Sequence, residues 1–146
     1  MWNDLPAEGK TGARLDELMQ LWVRAECLRL TNLRASVNRR AGNPGPEGSV
    51  AKLAMAELNQ EILSTAVSFQ GAAGMVGYDY TFRRPENLSV NGTETSLGHG
   101  FLRVRANSIE GGTSEIMRNI LGEQVLGLPG EPRVDKDVAW ISVPRS

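Results

Sequence analysis

The chain has 146 residues, 16 basic and 17 acidic side chains, and a net charge of −1. That length suits one domain with a real core, and near-neutrality removes the electrostatic footprint of a nucleic-acid or anionic-membrane binder. Cys27 is the single cysteine and His99 the single histidine, so no internal disulfide, cysteine metal cluster or multi-histidine metal site can form.

Aromatic residues are scarce, at 5%, and aliphatic residues and methionine carry most of the apolar mass. This favours helix over sheet. Residues 1–12 are polar and read as a flexible segment with no apolar core of a targeting signal. No apolar run is long enough to span a bilayer. A reducing, cytoplasmic setting is expected.

From 14 to about 40 lies a long, proline-free helical pattern. Leu15, Leu18, Met19, Trp22, Ala25 and Arg29 fall at steps of three and four, with Leu28, Leu33 and Val37 widening the buried stripe. The rod would be roughly 40 Å long. It also carries Arg14, Arg24, Arg29, Arg34, Arg39 and Arg40. These are either a solvated, snorkelling face or a phosphate-binding row.

"AGNPGPEGS" (41–49) stops that helix. Ser49 is the expected N-cap of a second helix over 50–75. Its buried stripe is Leu53, Ala54, Leu58, Ile62, Ala66 and Phe69, and small Ala56, Ser64, Ala66 and Ser68 permit close approach. Two long helices with a short connection make a helical hairpin.

Residues 76–96 break the pattern and read as an irregular excursion. Two glycosylation-type triplets there, at 87–89 and 91–93, are read as chance. A short helix is expected over 97–106. A last helix opens at Gly111 and Gly112 and runs to 126, with Ile116, Met117, Ile120, Leu121 and Val125 facing inward. Gly127 and Pro129 end it. The tail beyond 130 is polar except "VAWISV" (138–143), placed across the bundle or a neighbour.

The mouth of that last helix, "SIEGGTSEI" (108–116), poses the functional question. Two glycines let the backbone turn sharply and let another body approach. Thr113 or Ser114 can cap the helix, and Glu115 suits the positive end of its dipole. The free amides would also suit a phosphate, ribose or ring carbonyl. From these residues alone, an ordinary helix start and a ligand edge both stand.

The longer string "FLRVRANSIEGGTSEIMRNILGEQVLGLP" (101–129) resembles the C-terminal signature of the acyl-CoA dehydrogenase family. "SFQGAAGMVG" (68–77) is similar to that family's glycine-rich end of the second long helix, and "SVAKLAMAELNQEI" (49–62) to the start of the same helix. The resemblance covers roughly 13–130, which is taken as the domain, with 131–146 as a tail. It implies an all-α, up-and-down helical bundle of two long helices plus shorter C-terminal helices. It also implies FAD shared between subunits of a homo- or hetero-oligomer, and α,β-dehydrogenation of an acyl-CoA thioester. In that chemistry a carboxylate removes the α-proton while the β-hydrogen passes to flavin as hydride.

Residue by residue, the resemblance places Gly112, Thr113 and Glu115 at the turn contacting the adenine side of FAD. Arg118 matches the motif's arginine, in a structural role. Ser68 and Gly71 match the element that approaches the FAD of a neighbouring subunit, although "QGAAG" replaces the usual aromatic and paired glycines. In many members a glutamate immediately precedes the Gly-Thr pair. Here Gly111 holds that place and Glu110 lies one residue earlier, the one candidate base in the chain. Other branches carry the base on an earlier helix or on a paired subunit. The resemblance thus implies an incomplete active site: the C-terminal portion of a dehydrogenase, inactive alone and prone to self-association. The alternative is a non-catalytic helical interaction module without flavin.

Overall fold

The structure, a computed structural model, describes residues 2–3, 5–76, 97–130 and 138–143. Every regular element among them is helical. A 3-10 turn at Ala7–Gly9 leads into helix α1, Gly12–Arg40. Thr11 caps α1, its hydroxyl accepting from the Arg14 N–H at 3.3 Å, and Arg39 and Arg40 lie in the last turn, where cations suit the dipole.

Helix α2 spans Glu47–Phe69. It starts two residues before the Ser49 cap that the sequence suggests. Pro46, with φ −74°, sets the first turn, and the Ser49 N–H already bonds the Pro46 carbonyl at 3.1 Å. The α2 carboxylate that matters is Glu47. It is buried, and accepts from Asn38 Nδ2 at 2.8 Å and Arg34 Nε at 3.4 Å. This ties the two long helices at their connection.

α2 also ends earlier than 75. Gly71, at φ 58°, breaks the helical phase after Phe69, and Gly71–Met75 follows as a separate 3-10 turn. Helix α3, Leu97–Arg103, tightens into a 3-10 turn over Val104–Ser108. Helix α4, Ser114–Ile120, widens into a π turn over Leu121–Val125, closed by the Leu126 N–H on the Leu121 carbonyl at 3.1 Å. Gly127, at φ 67°, then reverses the chain, and the Leu128 N–H reaches back to the Gly122 carbonyl at 3.0 Å.

α2 is the central element. α1 packs along it, and α3, the 104–108 turn and α4 pack against it as well. Leu21, Ala56, Leu58, Ala66, Phe69 and Val104 form the buried core. The expected α2 stripe holds: Leu58, Ala66 and Phe69 are buried and Leu53, Ala54 and Ile62 half-buried. The α1 stripe does not hold as one face. Leu18, Ala25 and Leu28 are half-buried toward α2, with Leu21 the most buried, whereas Leu15, Met19, Trp22, Leu33 and Val37 are exposed. The helix has two apolar faces, and α2 covers one. In α4 and its π turn, Met117 and Leu121 are half-buried, while Ile116, Ile120 and Val125 are exposed.

In the apolar tail, Val138 and Ile141 are exposed, at 43% and 86%. The excursion at 77–96, with both glycosylation-type triplets, lies outside the described residues. Among the described residues no helix is long and apolar enough to cross a membrane, and no cluster of ligating side chains could hold a metal ion.

Candidate functional site

The 109–118 turn is built by local hydrogen bonding. The N–H groups of Ile109 and Glu110 both fold back on the Ala106 carbonyl, at 2.9 and 2.8 Å. Gly111 at φ 65° and Gly112 at φ 98° then swing the chain into α4. Side chains rarely adopt such angles, so glycine is required on conformational grounds. At Gly112 an added Cβ would also lie 2.7 Å from the Met117 methyl, the end of a flexible side chain that would have to move aside. At Gly111 the same position meets open space.

Thr113 is the cap, its hydroxyl oxygen accepting from the Ile116 N–H at 3.2 Å. The Glu115 carboxylate is held below its ordinary pKa, first by its own backbone N–H, then by the Thr113 hydroxyl, with the charges of Arg118 and Lys52 adding to the effect. Two first-turn amides are therefore satisfied by this chain's own oxygens. Ser114 is buried, and its Oγ is the one buried side-chain polar atom among the described residues without a hydrogen-bond partner.

Longer-range contacts fix the turn on α2. Lys52 donates its ammonium to the Gly112 carbonyl. Arg118 pairs with Glu57 and lies 3.9 Å from Glu115. Arg118 thus meets carboxylates of both α2 and α4. Glu110 is engaged as well, its two oxygens accepting from Arg103 Nη1 and Nη2 at 3.1 and 2.9 Å. This fork-to-fork pair occupies the carboxylate that sequence offers as a base.

Ser68 and Gly71 sit elsewhere. Both are exposed, and the Ser68 hydroxyl donates to the Thr65 carbonyl at 2.8 Å. Lys52, under the turn, and Ser68 are separated along α2 by about 24 Å at 1.5 Å per residue. The structure therefore brings Gly112, Thr113 and Glu115 together at one end of α2 and leaves Ser68 and Gly71 at the other. One copy does not form a single site from the two groups.

Sequence reasoning missed a polar groove of about 520 Å³ between α1 and α2, closed at one side by Arg105. Thr65 donates to Glu17 there at 2.8 Å, Arg24 pairs with Glu61, and Arg105 bonds Gln60 at 3.1 Å and Ser64 at 3.0 Å. No motif marks it, because its members are spread over 17–105. It also accounts for part of the α1 arginine row. Arg24 and Arg34 meet carboxylates of α2, Arg29 meets Glu26, and Arg14 lies 5.1 Å from the Phe69 ring centre. Those four arginines are partnered within the chain, not aligned for a phosphate.

Comparison with known proteins gives a family. Residues 12–126 match the model of the acyl-CoA dehydrogenase C-terminal domain. The chain is 32% identical over 127 residues to acyl-CoA dehydrogenase IpdE1 of Mycolicibacterium smegmatis, covering 84% of this chain and 28% of that protein. It is 30% identical over 118 residues to acyl-CoA dehydrogenase IpdE1 of Mycobacterium tuberculosis, covering 81% of this chain and 27% of that protein. The chain thus spans little more than a quarter of the curated relatives it matches. No solved structure matches it.

Proposed function

Because the chain belongs to the acyl-CoA dehydrogenase family through that C-terminal domain, we propose that it is the C-terminal portion of a flavin-dependent acyl-CoA dehydrogenase. In this reading it contributes a cofactor edge and oligomer contacts and is inactive alone. The complete enzyme would act on an acyl-CoA thioester, with FAD supplying the hydride acceptor.

The observation that carries the reading is the turn at 110–115. Its backbone is open at Gly111, where nothing lies within 4 Å of an added Cβ, and Glu115 is exposed beside it. The residues fit a cofactor edge, a rim and not an enclosing pocket. Gly111 leaves room for close approach, Gly112 and Thr113 border that space, and Arg118 and Lys52 anchor the rim to α2. Ser68 and Gly71, exposed at the far end of α2, would serve a second cofactor, that of a neighbouring subunit. The chain's described residues provide no free carboxylate at Glu110, so the base is assigned to polypeptide outside this sequence.

One observation favours the other reading, a helical interaction module without flavin. The Ile116 and Glu115 amides are capped internally, as in an ordinary helix start. Flavin retention separates the two. In the full-length protein, Gly112→Asp and Thr113→Ala should reduce bound flavin, read by absorbance after gel filtration, with the helical circular-dichroism signal preserved. Unchanged flavin content in both variants would remove the cofactor role and leave the interaction module.

A further inference from the structure

Ser114 is 6% exposed, and its Oγ is closed off from solvent without a hydrogen-bond partner. A buried hydroxyl in that state gives up its bonds to water and gains none, so such atoms are rare in folded chains. Its place in the sequence explains it. Ser114 directly follows Thr113, the residue that caps α4, and serine ranks above threonine as a cap. The entrance of the helix therefore holds two capping side chains in succession, of which one is in use.

We propose that this entrance is a two-position device, in which the cap passes between Thr113 and Ser114. In the position seen, the Thr113 hydroxyl accepts from the Ile116 N–H at 3.2 Å, and the Thr113 carbonyl accepts from the Met117 N–H at 3.0 Å. In the second position the helix begins one residue later. Ser114 leaves the helical region for the extended one that Thr113 already holds, at φ −67° and ψ 161°. Its Oγ then accepts from the Met117 N–H, and the orphaned hydroxyl is satisfied. The Ile116 N–H loses Thr113 and turns to water, which is at hand because Ile116 is exposed. One exposed hydrogen bond is exchanged for the relief of one buried orphan. The two positions lie close in free energy, with Thr113 the major cap and Ser114 the minor one.

The surroundings confine the movement to the entrance. Gly111 and Gly112, at φ 65° and 98°, have no side chain to resist a change of backbone angle. Lys52 holds the Gly112 carbonyl on one side, and Arg118, paired with Glu57, holds α4 on the other. Between these anchors only the peptide units of 112–114 need to turn. The exchange also releases the Thr113 hydroxyl from the helix, which gives the rim an open form able to meet a ligand. That consequence rests on the cofactor-edge reading. The exchange itself does not.

NMR relaxation dispersion and saturation transfer on the 146-residue chain, without flavin, read a minor state on the μs–ms timescale. Exchange should appear at the amides of 113–117 and be flat at the centre of α2. Ser114→Ala removes the second cap and should abolish the exchange while the helical signal stays. Thr113→Val removes the first cap and should leave the chain in the second position. Its chemical shifts at 114–117 should coincide with those of the minor state of the unsubstituted chain. Adding Ser114→Ala to Thr113→Val should then speed hydrogen exchange at the Met117 amide about fivefold, the equivalent of one lost cap. Flat dispersion in the unsubstituted chain, exchange that survives in folded Ser114→Ala, or Thr113→Val shifts that match the major state would overturn the proposal. So would a double variant no faster than Thr113→Val. If Thr113→Val unravels the helix start, the Ser114→Ala arm still decides. Because no flavin is present, failure here leaves the cofactor edge standing.

Discussion

Lys52, in the second turn of α2, donates to the carbonyl of Gly112, sixty residues further along the chain. The contact joins the central helix to the turn that opens α4, and it places a positive charge beneath the exposed Glu115. Few other contacts anchor the glycines, which have no side chains of their own.

Lys52→Met keeps the aliphatic stem and removes the donor. It should lower stability by about 1–2 kcal/mol in urea unfolding, the range for a partly buried charged hydrogen bond. Amide exchange at 111–116 should accelerate more than at the centre of α2. Uniform acceleration across α2 would show that the lysine acts through packing alone.

Glu110→Gln should be mild. The Arg103 pair is half exposed on the glutamate side, so its loss should change stability by less than about 1 kcal/mol. Assayed in the complete enzyme, the variant should keep activity within about tenfold. A general base contributes about 10²–10⁴-fold, so a loss of that size would return the catalytic role to Glu110.

Glu115 should titrate below the ordinary value of 4.5, held there by its own backbone N–H and by the Thr113 hydroxyl. A carboxylate lowered in the folded state adds stability above its unfolded pKa and loses it as pH falls through the folded one. The opening of α4 should therefore hold at neutral pH and loosen only below about pH 4.5. Thr113→Val should raise the Glu115 midpoint in a carboxyl NMR titration. It should also weaken the helix start by about 1 kcal/mol through the lost cap. A midpoint unmoved by the substitution would assign the effect to the backbone alone.

The all-helical class and the α2 core were legible because Leu58, Ala66 and Phe69 follow a single stripe with one partner surface. α1 was harder. Its apolar residues serve two faces, and a periodicity reading merges them, so Trp22 and Val37 were placed in a core that Leu21 occupies. The Ser49 cap failed because Pro46, three residues ahead of it, fixes the turn sooner than a hydroxyl can, so the helix already begins at Glu47. At the candidate site, the glycines and the Thr113 cap were readable from local chemistry. The Lys52 and Glu57 partners were not, since contacts across 60 or so positions leave no spacing signal.

The π turn at Leu121–Val125 has a consequence for the end of the chain's helical part. One additional residue in a turn rotates everything beyond it by roughly a quarter of a circle relative to a regular helix. Leu126, 72% exposed, consequently points off the line that Met117 and Leu121 follow. A single-residue deletion within that turn would bring it back onto that line, so the direction in which Leu126 faces is set by residue count and not by residue type.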